Sequence, residues 1–217
     1  MLKNISAIGF DLDGTLYPIT PEIRKIQRGK IYENISKYFG IPLEHANRLF
    51  EENYSAIGSG TKTIGVIAKS LGKPSPGRDF VQEALEQADF LDLIEKNPSL
   101  VAMLERMSRS KKHGRPDLIT GSTREYALRK LERVGISPEV FLYLFTHEDG
   151  SKSSQDIYEK WLSRTMLRPS QHLYIGDQQK LDIDVPRSLG IRTCIVGEYE
   201  LADFQIENIL DLEALLN

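Results

Sequence analysis

At 217 residues and a formal net charge of −3, the chain is long enough for one large domain or a core with a smaller insert. It lacks the excess of positive charge that would draw it to nucleic acid or to an acidic membrane surface. Forty per cent hydrophobic and 27% charged residues are the balance of a soluble globular protein, and no window approaches the ~18 apolar residues of a membrane span.

The run from Ile5 to Phe10 predicts a short apolar strand that stops abruptly at Asp11-Leu12-Asp13-Gly14. It reaches those carboxylates too soon after Met1 to serve as a signal peptide. From Pro21 the rhythm becomes helical: Ile23, Ile26, Ile31, Ile35 and Tyr38 recur at about one-turn spacing, and Gly40 is a natural stop. Pro42 to Tyr54 and Thr61 to Leu71 predict two more helices. Gly72-Lys73-Pro74-Ser75-Pro76-Gly77 breaks the chain, and Phe80 to Ala88 predicts a further helix.

After Asn97-Pro98 the pattern alternates. Leu100, Met103, Leu104 and Met107 mark a helix, Pro116 to Thr120 a strand, Arg124 to Val134 a helix and Val140 to Phe145 a strand. Gln155 to Met166 predicts a helix, His172 to Ile175 a strand, Val185 to Leu189 part of a helix, and Arg192 to Val196 a fifth strand. The basic run Lys111-Lys112-His113-Gly114-Arg115 reads as a solvated helix end. The single cysteine, Cys194, excludes an internal disulfide, reads as a small buried hydrophobe in an apolar strand, and suits a reducing, cytoplasmic setting.

Strands alternating with helices predict an α/β fold, a Rossmann-like doubly wound parallel sheet. An all-helical domain, residues 18–95, interrupts it, leaving 1–17 and 96–217 as the core. In such sheets ligands gather beyond the carboxyl ends of the strands. Asp11 and Asp13 lie at the first such end, Thr120-Gly121-Ser122 at the second, Lys152 after the third, and Gly176-Asp177 at the fourth. In Asp11-Leu12-Asp13-Gly14-Thr15, carboxylates at i and i+2 of extended chain point the same way. The glycine permits a sharp turn, and the prolines beyond it argue against a hairpin.

In order and spacing these four segments resemble the haloacid dehalogenase-like superfamily. Its first motif stands as Asp11 to Thr15, its second as Thr120, its third as Lys152 and its fourth as Gly176-Asp177 with Asp182 as the distal acid. The third departs from the family's Lys-Pro-x-Pro-x-x-Tyr pattern, because Ser153 and Gln155 replace both prolines ahead of Tyr158. The resemblance implies a magnesium-dependent phosphatase in which Asp11 attacks phosphorus and Asp13 serves as acid and then base. It further implies that magnesium is held by Asp11, the Asp13 carbonyl and Asp177, a surface-facing carboxylate. Thr120, the Gly121 amide and Lys152 would hold phosphate, and Asp182 would support the metal shell or orient Lys152.

The insert corresponds to the family's helical cap. The stretches Asp11 to Pro18 and Tyr54 to Thr61 resemble the pyrimidine 5′-nucleotidase branch. The expected partner is therefore a small phosphorylated metabolite, with nucleoside monophosphates favoured and sugar phosphates and phosphoglycolate open. A sugar phosphomutase of the same fold and a non-catalytic phosphate-binding regulator are the alternatives, and a dehalogenase is disfavoured because it has no use for Asp13 or for magnesium. No pattern marks a protein, nucleic-acid or membrane partner. His45, His113, His147 and His172 do not pair at zinc-ligand spacing, and Tyr17, Tyr54 and Trp161 read as core or cap packing.

Overall fold

A computed structural model describes residues 4–110, 114–197 and 202–216. The chain divides into two compact units, one running to Pro18 and resuming at Ile94, the other spanning Ile19–Leu93. Lys111, Lys112 and His113 of the basic run lie outside the described residues. Among the described residues no helix is long and apolar enough to cross a membrane.

Among the described residues, the first unit is built on six strands in the order β3-β2-β1-β4-β5-β6. They are β1 (Ala7–Phe10), β2 (Asp117–Ile119), β3 (Leu144–Phe145), β4 (His172–Gly176), β5 (Arg192–Val196) and β6 (Phe204–Ile206). All five pairings are parallel. Gly9 sits opposite both Asp117 and Tyr174, which makes β1 an interior strand. All four of its residues are buried, as expected for a strand covered on both faces. The order reverses between β1 and β4, so the crevice beyond their carboxyl ends is the topological switch point of the sheet.

The second unit carries four helices: α1 (Pro21–Phe39), α2 (Leu43–Ile57), α3 (Gly60–Ser70) and α4 (Phe80–Glu86). Helix α1 starts where the Thr20 hydroxyl accepts the Ile23 amide, with Pro21 in the first turn, and ends at Gly40 with φ 68°. Ile31, Ile35 and Phe39 from α1 share a core with Phe50 of α2, Ile64 and Ile67 of α3 and Ala84 of α4. Each large side chain so buried contributes on the order of 1.5–3 kcal/mol. Tyr38, read from spacing as part of the apolar stripe, is instead 46% exposed.

The helices of the first unit are α5 (Pro98–Ser108), α6 (Arg124–Val134), α7 (Asp156–Thr165), α8 (Val185–Ser188) and α9 (Leu212–Leu216). Trp161, Tyr158 and Ile157 of α7 pack with Ala7, Ile119, Phe145 and Tyr174 of the sheet. The strand expected over Val140–Phe145 is reduced to Leu144–Phe145, because Pro138–Val140 closes into a 3-10 turn capped by Ser137. The sixth strand and α9 have no counterpart among the expected elements. Both are short, β6 lying between Asp203 and Glu207 and α9 following Asp211, which leaves too little periodicity to read. Cys194 is fully buried in β5, where burial pushes its thiol up to about 12.

Candidate active site

The β1 ladder runs one residue past the strand, since the Asp11 amide donates to the Ile175 carbonyl at 2.8 Å. Beyond it the chain folds back, with the Leu16 amide donating to Leu12 and the Gly14 amide to the Tyr17 carbonyl, both at 3.0 Å. Gly14 has φ 86°, and a Cβ there would lie 2.2 Å from Asp177 Oδ2. Both the left-handed turn and the approach of Asp177 therefore require glycine. Asp11 is 3% exposed at the root of this loop.

Lys152 lies in a 3-10 turn, Lys152–Ser154, whose preceding Ser151 hydroxyl accepts the Ser153 amide. Its ammonium donates to Asp11 Oδ1 at 2.6 Å and to Asp182 Oδ1 at 2.8 Å, and the three residues are almost wholly buried. The turn reaches α7 through Gln155 at φ 73°. A proline ring fixes φ near −65°, so this backbone path excludes the proline that the resemblance places at that position. Tyr158 is retained and donates to the Leu181 carbonyl at 2.8 Å, beside Asp182.

Asp182 rides on a π-helical segment, Gln179–Asp184, and its Oδ2 accepts the Gln178 amide at 3.0 Å. A Cβ on Gly176 would lie 2.3 Å from the Asp182 Cβ, so the segment reaches β4 only because residue 176 is glycine. π-Helical insertions of this kind concentrate at functional sites.

Asp13 is held by a different set. Tyr17 donates its hydroxyl to Asp13 Oδ1, the Lys130 ammonium lies 2.5 Å from the same oxygen, and the Ser122 hydroxyl donates to Oδ2 at 3.1 Å. Lys130 also donates to the Ser122 hydroxyl at 2.8 Å and is 2% exposed. Thr120 is fully buried, and its hydroxyl accepts the Ser122 amide at 3.1 Å, tying down the turn after β2. That bond leaves the hydroxyl proton able to donate elsewhere. Gly121 is exposed, with nothing within 4 Å of where its Cβ would be.

Burial raises the Asp11 carboxyl well above its ordinary range, and the charges of Asp182, Asp177 and Asp13 add to that against the opposing Lys152. Burial and the charge of Asp182 push Asp177 up to about 7. Burial alone would raise Asp13 too, but the Lys130 charge and the bonds from Lys130, Tyr17 and Ser122 hold it below the usual value. Burial opposes the Lys152 charge, yet Asp11 and Asp182 raise its pKa and keep it an ammonium.

Ligand oxygens of Asp11, Asp177 and Asp182 lie within 4.8 Å of one another. The Oδ1 of Asp177 is buried without a hydrogen-bond partner, although the residue as a whole is partly exposed. With all four carboxyls ionised, the site would set four negative charges against two ammonium groups, an excess of two. An all-oxygen donor set, an unpartnered buried oxygen and that excess fit a hard divalent cation.

Of the residues singled out from sequence, the structure brings Asp11, Lys152, Asp177 and Asp182 together and places Asp13 on Lys130. Lys130 and the polar roles of Tyr17 and Ser122 escaped the reading. The signal for Lys130 was present: it falls on the inward stripe of α6 with Ala127, Leu131 and Val134, where an apolar residue is the norm. Tyr17, read as packing, is buried but also bonds Asp13, while Trp161 is core. Tyr54 packs within the helical unit, with the Arg28 guanidinium 4.0 Å above its ring. His172 is buried, bonded to Thr165 and to the Arg168 carbonyl.

A family model of haloacid dehalogenase-like hydrolases matches residues 5–190. Among curated proteins, the ribulose-1,5-bisphosphate 5-phosphatase of Halopiger xanaduensis is 27% identical over 215 residues, covering 91% of this chain and 87% of that protein. A HAD phosphatase from Thermococcus onnurineus shares the fold with a TM-score of 0.65 at 20% identity, over 98% of each chain. A Bacillus subtilis HAD hydrolase solved with bound magnesium superposes with a TM-score of 0.65 at 14% identity, over 99% of this chain and all of that one.

Proposed function

The chain belongs to the haloacid dehalogenase-like hydrolases, and from that membership we propose that it is a magnesium-dependent phosphatase of small phosphate monoesters with Asp11 as nucleophile. The observation that carries the reading is the separate bracing of the two carboxylates of one loop, Asp11 by Lys152 and Asp13 by Lys130. One group attacks while the other handles protons, and each stands in its own environment; Asp13, held below the usual carboxylate range by Lys130, must take up a proton before it can act as an acid.

Asp11, Asp177 and the Asp13 carbonyl would hold magnesium, which when bound offsets the negative charge that otherwise keeps a carboxylate from a phosphate ester. An Asp11 side-chain oxygen forms a bond to phosphorus as the ester P–O bond breaks, and Asp13 gives its proton to the departing alkoxide. Water then bonds to phosphorus and yields a proton to Asp13 as the Asp11–phosphorus bond breaks. Aspartate and phosphate are released and Asp13 is again protonated. Thr120 and the Gly121 amide hold phosphate oxygens, and Lys152 offsets charge between Asp11 and the transferring group.

For the substrate, the similarity to a sugar-bisphosphate phosphatase of Halopiger xanaduensis favours sugar phosphates, while the likeness of the Asp11–Pro18 and Tyr54–Thr61 stretches to pyrimidine nucleotidases favours nucleoside monophosphates. Phosphate release from a panel of both classes, with magnesium and with a chelator, decides between them. Chelator-sensitive release that vanishes in Asp11→Asn supports the reading. Isomerised sugar phosphate without free phosphate would instead mean a mutase, and no turnover of any ester with tight ligand binding would mean a regulator.

A further inference from the structure

We propose that Lys130, with Ser122 and Tyr17, is a positioning device that orients the Asp13 carboxylate for proton exchange at the reacting centre. The inference rests on the phosphatase reading above. Three donors from separate segments converge on one carboxylate: Tyr17 from the loop after β1, Ser122 from the turn after β2, and Lys130 from the second turn of α6. Tyr17 and Lys130 fix Oδ1, Ser122 fixes Oδ2, and the 2.8 Å bond from Lys130 to Ser122 ties two of the donors together. With both oxygens engaged, the plane and direction of the carboxylate are set.

Lys130 occupies a costly position. It is 2% exposed between Tyr126, Ala127, Leu131 and Val134, with its ammonium 4.5 Å from the Tyr126 ring centre. Ion pairs at such positions are generally no more stabilising than an apolar side chain of similar volume. Packing alone therefore does not account for a lysine here. Misplacing a reacting group by about 1 Å costs on the order of a hundredfold in rate, so a rigid mount for Asp13 has a direct effect on turnover.

The test separates positioning from support of the fold. The value of kcat/KM reports the steps up to phosphoryl transfer to Asp11, in which an alkoxide needs a proton and p-nitrophenolate does not. Lys130→Met should lower kcat/KM about a hundredfold for a sugar phosphate and less than about tenfold for p-nitrophenyl phosphate, within the range of general acid catalysis. Asp13→Asn should show the same selectivity, and adding Lys130→Met to it should cost nothing more. Equal losses on both esters, or multiplicative losses in the double variant, would overturn the inference while leaving the phosphatase intact. Wild-type protein that turns over neither ester would overturn both readings together. If Lys130→Met does not fold by circular dichroism, Ser122→Ala and Tyr17→Phe carry the test, and the absence of any alkyl-selective loss in both would overturn it.

Discussion

Asp117, at the start of β2, allows a prediction that can be worked through in numbers. It is 2% exposed, and its oxygens accept the Trp161 indole N–H at 2.7 Å and the Tyr143 amide at 3.1 Å. Burial raises its pKa from 3.8 to about 6 despite those two donors. A folded-state pKa above the unfolded one means the folded chain holds this proton more tightly. The stabilisation is full below 3.8 and is lost as pH rises through about 6. A shift of about two units corresponds to roughly 3 kcal/mol, of which about 2 kcal/mol is lost between about pH 4.5 and pH 7.5. Asp117→Asn is neutral throughout and gives up one hydrogen bond, about 1 kcal/mol at every pH. The stability of the variant relative to wild type should therefore rise by about 2 kcal/mol across that interval. Urea unfolding in chelator, followed by the fluorescence of Trp161, reads the effect at its source, because this is the single tryptophan of the chain and it sits on Asp117. A difference between variant and wild type that stays constant with pH would show that the two donors fully offset burial, and the reasoning would fail.

Other expectations concern the site itself. Asp177→Asn should raise the magnesium concentration for half-maximal activity at least about tenfold without lowering the melting temperature in chelator, since it removes a buried oxygen that has no partner. A metal requirement equal to that of wild type would count against Asp177 as a ligand. Gly14→Ala introduces left-handed strain of about 1 kcal/mol and a Cβ against Asp177 Oδ2, so magnesium titrations should show a larger deficit than thermal melts, whereas an unaltered metal response would remove the steric argument. Lys152→Met leaves the buried pair Asp11 and Asp182 without their shared cation and should cost about 3–5 kcal/mol in chelator. Magnesium should restore much of that stability, and a loss indifferent to magnesium would refute the charge balance drawn for the site.

The fold class was legible because parallel strands buried on both faces write themselves as short apolar runs, and Ala7–Phe10, His172–Gly176 and Arg192–Val196 do so. Helix α6 was legible from Arg124 to Val134 because apolar residues and a following glycine mark its inner face and its end. The short strand β3 was over-read because Val140, Phe141 and Leu142 are apolar, although Pro138 turns the chain before it can pair. The acids after β1 and β4 stood out because their positions follow from topology. Lys152, 141 residues from Asp11, stood out only through the family resemblance, and Lys130, 117 residues from Asp13, did not stand out at all. Such pairings exist only once the strands are ordered. The π-helical turn that delivers Asp182 has no periodicity of its own at six residues, and Asp182 was singled out over Asp184 only by its interval to Gly190.

The two lysines explain why a loop of three residues can present two carboxylates with opposed behaviour. Asp11 and Asp13 are separated by Leu12 alone, yet one carboxyl is driven up by burial and neighbouring acids while the other is held down by its donors. Lys152 cannot satisfy Asp11 fully, because it divides its charge with Asp182. Lys130 donates to Asp13 at 2.5 Å and to the neutral Ser122 hydroxyl at 2.8 Å. The unmet charge is thus concentrated on the Asp11, Asp177 and Asp182 side, where the ligand oxygens cluster. On the phosphatase reading, a divalent cation held by Asp11 and Asp177 would supply the missing positive charge and favour the ionised Asp11 that attacks. The side already balanced keeps Asp13 in place for the proton. Exchanging the two environments, for example by moving the second lysine from α6 to the Asp177 side, would leave the same residues present and the chemistry lost.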